Sequence, residues 1–112
     1  MRLKTAAFVL AALAGAACAS TSTSAGSSRE VNGVRITEEK EGLWARATLA
    51  PDAAIKIALA RVPGGTIDEA ELEEENGRLV YSFDIKVAGA TGEHEIDVDA
   101  VTGAVLKAEH QP

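Results

Sequence analysis

Residues 67–87 read IDEAELEEENGRLVYSFDIKV, a run that folds back on itself about Asn76-Gly77. A two-residue type I′ loop needs φ > 0 at both central positions, and Asn-Gly supplies it most readily. The turn sets a register in which Glu75 lies opposite Arg78, Glu74 opposite Leu79, Leu72 opposite Tyr81 and Ala70 opposite Phe83. Side chains alternate between faces along a strand. Ala70, Leu72, Leu79, Tyr81, Phe83 and Ile85 therefore share one face, and Glu69, Glu71, Glu73 and Glu75 the other. A slip of one residue would scatter the apolar set, so the pairing is well specified.

Upstream, residues 51–62 (PDAAIKIALARV) read as a helix. Pro51 suits the first helical position, where its missing N–H costs nothing. Asp52 in the first turn and Arg61 in the last both complement the helix dipole. Ile55, Ala58, Leu59 and Val62 recur at the spacing of one buried stripe, and Pro63-Gly64-Gly65 stops the helix. Before it, residues 43–48 (LWARAT) are read as a short strand, with Trp44 packing in the core or covering an edge. Residues 31–41 alternate only weakly and form a poorly determined lead-in.

Downstream, residues 93–99 (EHEIDVD) alternate as a third strand with His94, Ile96 and Val98 on one side. Asp99 and Gly103 then bracket a hairpin loop: the carboxylate accepts from the loop backbone and the glycine adopts the left-handed conformation. Residues 104–109 make a last strand whose inward face is ambiguous, because Val105 and Leu106 point opposite ways. The fold class is α+β, one helix packed on one face of a three- to four-stranded antiparallel sheet. Its expected core holds Ile55, Leu59, Val62, Leu72, Tyr81, Phe83, Ile85, Ile96 and Val98.

The chain has 112 residues, of which 1–18 read as an export signal: a basic start, a short apolar run and small residues up to Cys18. Without Arg2 and Lys4 the formal charge goes from −6 to −8. An acidic chain is a poor partner for nucleic acid and for anionic lipid headgroups. Cys18 is the only cysteine, so no internal disulfide forms. Its position resembles the lipobox of bacterial lipoproteins, in which that sulfur carries a diacylglyceryl anchor. Gly15 stands where such motifs usually carry a branched aliphatic residue, and Ala17-Cys18-Ala19 also fits a cleavage site that would release the chain. Residues 19–30 are read as a flexible tether and 31–112 as the folded domain, with its core at about 49–110.

Taken in order, AIKIALARVPGG, ELEEENGRLVYSFDIKV and EIDVDAVTGAVLKAE resemble a PepSY domain over about residues 51–109. The family pattern is an alanine-rich helix ending near Pro-Gly, a strand pair bearing Tyr81-Ser-Phe83-Asp-Ile85, and a closing turn at residues 98–105. The resemblance implies an extracytoplasmic, non-catalytic module that modulates or inhibits peptidases or binds partners at the cell envelope. No protease domain follows in this sequence, so such inhibition would act in trans.

The residues themselves offer little chemistry. There is no G-x-S-x-G and no S-x-x-K, and two histidines beside an export-segment cysteine do not make a standard zinc site. No enzyme activity and no cofactor are expected. The carboxylates are the remaining candidates. Glu69 falls opposite Asp84, a like-charge pair that costs free energy unless solvated or bridged, and Asp97 and Asp99 share an outward face. These four are weak candidates for a metal site; a solvated face that keeps strands from pairing wrongly explains them as well. The stretch from Asp97 to Gly103 resembles the start of an EF-hand loop, but its twelfth position would be Ala108. Two functions follow: a binding module for an envelope or secreted protein such as a peptidase, held to the membrane only by an N-terminal lipid; or an acidic sensor or buffer for divalent cations.

Overall fold

A computed structural model of the protein describes residues 26–112. The expected export segment, Cys18 and the tether up to residue 25 lie outside the described residues. Elsewhere, six strands form one mixed sheet in the order β1 to β6, crossed by one helix. The strands are β1 (Ser28–Val31), β2 (Val34–Glu38), β3 (Gly65–Glu75), β4 (Arg78–Val87), β5 (Glu93–Asp99) and β6 (Val105–Gln111), and α1 is Pro51–Ala60. The α+β class holds, but the sheet is wider than expected from the sequence and is not wholly antiparallel. β2 pairs parallel to β3, with Ile36 beside Ala70 and Glu38 beside Leu72. Parallel neighbours need a crossover, and α1 provides it.

The β3–β4 hairpin has the register set by its turn, from Glu75 opposite Arg78 to Glu69 opposite Asp84, with a bulge at Asp68. Asn76 and Gly77 both have positive φ, 52° and 78°. A second hairpin of the same kind, Asn32-Gly33 with φ of 51° and 81°, joins β1 to β2. Ser28, Arg29 and Glu30, placed in the tether by composition, therefore belong to an edge strand.

Residues 43–48 are not a strand. Trp44–Arg46 form a 3-10 turn, and Leu43 and Trp44 are both buried, which consecutive residues of a strand facing one core could not be. Glu38 is the physical reason. Its Oε1 accepts the Trp44 N–H at 3.0 Å while Oε2 accepts the N–H and hydroxyl of Ser27, at 2.9 and 3.1 Å. The Trp44 indole N–H donates to the Ser27 carbonyl, and the Arg29 guanidinium lies 4.2 Å from the centre of the indole ring. Burial pushes the Glu38 carboxyl up, but donors from Ser27, Trp44 and Leu43 outweigh it and hold the carboxyl below its usual range.

α1 ends at Ala60 and the chain tightens through Arg61 and Val62 to Gly65. The buried stripe is Ala54, Ile55, Ala58 and Val62. Leu59 is half-buried at the rim, so the apolar face is turned slightly from the expected one. Gly65 permits the close approach of helix end and sheet: a Cβ there would sit 2.5 Å from Ile85 Cγ2. Against α1 the sheet presents Ala70, Leu72, Leu79, Tyr81, Phe83, Ile85, Ile96 and Val98, all buried. Tyr81 stacks on Phe83 at 6.3 Å between ring centres, and its hydroxyl donates to the Leu49 carbonyl at 3.0 Å. That bond is what lets a phenol reside in an apolar core.

β6 runs two residues further than the sequence suggests, and a bulge at Leu106 resolves the ambiguity of its faces: Val105 pairs with Val98, while Lys107 pairs with Asp97.

Candidate functional site

α1 covers one face of the sheet and leaves the other to carboxylates. Glu69, Glu71, Glu73 and Glu75 of β3, Asp84 of β4, and Glu93, Glu95 and Asp97 of β5 stand on this outer face, as the strand alternation and register require. A cleft of about 270 Å³ runs among Glu69, Glu71, Glu73, Ser82, Asp84, Glu93 and Glu95. Two lysines meet it from the side. Lys107 Nζ is 3.5 Å from Glu95, and Lys86 Nζ is 3.7 Å from both Asp68 and Glu93.

This surface is crowded with like charge. Burial and then the carboxylates of Glu71, Glu75, Asp97 and Glu39 raise the Glu73 carboxyl to about 7. Asp84 is pushed up by burial and by Glu93, Glu69 and Glu95. Asp97 is only 2 % exposed, and its Oδ1 has no hydrogen-bond donor against it among the described residues. Burial raises its carboxyl too, opposed by the Ser82 hydroxyl and by Lys107.

A carboxyl raised on folding takes up its proton more readily in the folded state. Stability from Glu73 is therefore complete below the unfolded value near 4.5 and declines as pH rises through about 7. Glu73→Gln is accordingly expected to raise the urea midpoint at pH 8 and leave it nearly unchanged at pH 4. An equal gain at both pH values would show that ionisation is not the cause.

Glu69 and Asp84 meet at the cleft, as neighbours across β3 and β4. Asp97 lies one strand further, opposite Ser82. Asp99 is taken up by the loop that follows β5. Its Oδ1 accepts the N–H groups of Val101 and Thr102 at 2.8 and 2.9 Å, and Oδ2 accepts from Arg78 at 3.0 Å. Gly103, at φ 83°, closes the loop by donating to the Asp99 carbonyl. Among the described residues no three His, Cys, Asp or Glu side chains converge in a way that could hold a metal ion. His94 and His110 stack across β5 and β6 at 4.4 Å on the helix side of the sheet, apart from the carboxylates. No described helix is long and apolar enough to cross a membrane.

At the end of the sheet bearing Asn76-Gly77, the Asp99 loop and the 3-10 turn come together around a second cleft of about 440 Å³. Arg46 and Arg78 line it, tied to Glu74 and Asp99 at 2.9 and 3.0 Å. Sequence reasoning singled out the turns but not this meeting of two arginines, which come from segments more than thirty residues apart.

A helix laid across a hairpin and closed by a tight Asp–Gly loop defines a small scaffold domain. The family model for the peptidase propeptide and YPEB domain, PepSY, matches residues 48–109, more than half of the chain. The chain belongs to the PepSY family. Neither the curated proteins nor the solved structures hold a match to it.

Proposed function

We propose that this is a non-catalytic PepSY module that acts outside the cytoplasm by binding, with a secreted or envelope peptidase as the partner class. Family membership over residues 48–109 carries this reading, because PepSY domains are propeptide- and inhibitor-type modules. The matched stretch holds α1, the β3–β4 hairpin, β5 and most of β6. Its buried side chains build the core, and its surface is rich in carboxylates. The acidic balance disfavours nucleic acid. Cys18 is the proposed lipid attachment point, which would keep the domain at the membrane surface without a spanning helix. The mass of the mature N-terminus tests that part by itself.

The experiment for the function is a titration of purified protein into secreted metallopeptidases with a fluorogenic substrate. Saturable slowing at micromolar protein is the expected result. Unchanged rates across the panel, with no complex seen by gel filtration, would remove the peptidase from the proposal.

A further inference from the structure

We propose that the free edge of β6 pairs with the same edge of a second copy of this chain, joining two six-stranded sheets into one. β6 is the last strand of the sheet, with β5 as its one neighbour. Its far side carries a row of backbone N–H and C=O groups with no strand beside them, which is a template for another strand. The opposite edge, β1, offers four residues against seven in β6.

Symmetry decides whether the edge fits itself. Two copies of one edge meet antiparallel about a two-fold axis perpendicular to the sheet. The residue on the axis then faces its own counterpart. Every other residue faces the one equally far along on the opposite side, with both side chains on the same face. In Val105–Gln111 (VLKAEHQ) the charges are Lys107 and Glu109, and Ala108 stands between them. An axis through Ala108 sets Lys107 of each copy opposite Glu109 of the other, twice over. Axes through Lys107 or Glu109 would set like charges against each other, which costs free energy. Charge thus selects one register, and the residue at its centre is small.

Glu109 supplies the second support. Across β5 and β6 it stands opposite Glu95, a like-charge pair within the chain. Lys107 Nζ lies 3.5 Å from Glu95, and among the described residues no lysine or arginine is ion-paired with Glu109. Lys107 of the second copy brings a cation to the side of Glu109 away from Glu95. Leu106, one of two large apolar side chains left exposed among the described residues, lies on the same edge.

Charges and bulges on an edge keep it from pairing indiscriminately. Here the bulge at Leu106 sits near the start of β6 and leaves Lys107–Gln111 regular. Opposite charges on either side of a small residue turn away strands of other patterns and admit their own image. An edge of this length buries less than a standard interface, so the dimer is weak and forms as concentration rises.

The test is sedimentation velocity on the purified protein up to about 1 mM, which reaches millimolar affinities. The wild-type protein should pass from monomer to dimer over that range. Lys107→Glu and Glu109→Lys should each stay monomeric, because each sets like charges across the axis twice. Mixing those two variants should restore a dimer, since every opposed pair is then of opposite sign. The double exchange, Lys107→Glu with Glu109→Lys, should dimerise by itself. Lys56→Glu makes the first variant's charge change on the exposed side of α1 and should dimerise as the wild type does. Circular dichroism checks that each variant is folded. Should a charge reversal unfold the chain, Lys107→Gln takes its place and should weaken the dimer about tenfold, two exposed pairs being lost at once.

A monomer at every concentration would overturn the proposal and leave the edge to solvent or to a strand of another protein. So would a dimer that persists in the folded single variants, which would place the interface elsewhere. Failure of the mixed variants to associate would do the same, since charge would then not set the register. The peptidase titration is independent of all these outcomes.

Discussion

Phe83→Ala is expected to lower the unfolding free energy by about 3–5 kcal/mol, the range for an aromatic side chain removed from a packed core. Phe83 is fully buried, stacks on Tyr81 and lies between Ala70 of β3 and Ile96 of β5. Its removal leaves a hole at the centre of the sheet, beneath α1. The strands on either side are held in register by ladder hydrogen bonds and cannot easily collapse into it. A domain of roughly eighty ordered residues has little stability to lose, so the variant should be partly unfolded at 37 °C. Urea denaturation followed by Trp44 fluorescence measures the effect. A loss below about 1 kcal/mol would mean that this position is not the packing centre.

Asp99→Ala should cost about 2–3 kcal/mol, with Asp99→Asn intermediate. The carboxylate accepts two loop N–H groups and an arginine, and a hydrogen bond to a charged group contributes about 1.5–3 kcal/mol net where it is shielded from water. Val101 and Thr102 are exposed, so water replaces part of what alanine removes. The donors from Thr102 first, then Val101 and Arg78, outweigh burial and hold the Asp99 carboxyl below its usual value. A depressed carboxyl stabilises the fold above its unfolded value, near 3.9, and that stability is lost as pH falls through the folded value. Wild-type protein should therefore weaken on the acid side, and Asp99→Ala should show a shallower decline there. Parallel acid limbs for the two proteins would assign the loss to other carboxylates, with Glu38 the first to examine.

The core hairpin was legible because a single dipeptide, Asn76-Gly77, sets every pair from Glu69–Asp84 to Glu75–Arg78, and apolar residues fall on one side of that register. Asn32-Gly33 carries the same turn signal, but its flanks, Ser28, Arg29, Glu30 and Arg35, are polar and give an alternation reading little to hold. What makes β2 a strand is the parallel pairing of Ile36 with Ala70, a contact between segments more than thirty residues apart. Trp44 illustrates a different limit. Alternation in LWARAT suggested extended chain, whereas a carboxylate six residues upstream takes the Trp44 N–H and winds the segment into a turn. The acidic face was legible in outline, because period-two spacing places side chains on a face without help. Depth was not. That Asp97 is sealed while Glu69 is open depends on what neighbouring strands lay over each.

Ser27 is gripped by Glu38 through its N–H and hydroxyl, and by Trp44 through its carbonyl. Any tension transmitted along the polypeptide from the N-terminal side enters the domain at that knot. Should the knot fail, β1 is the outermost strand and peels from β2 one pair at a time, beginning at Ser28 opposite Thr37. Such peeling dissipates a pull while the layer beneath α1 stays shut.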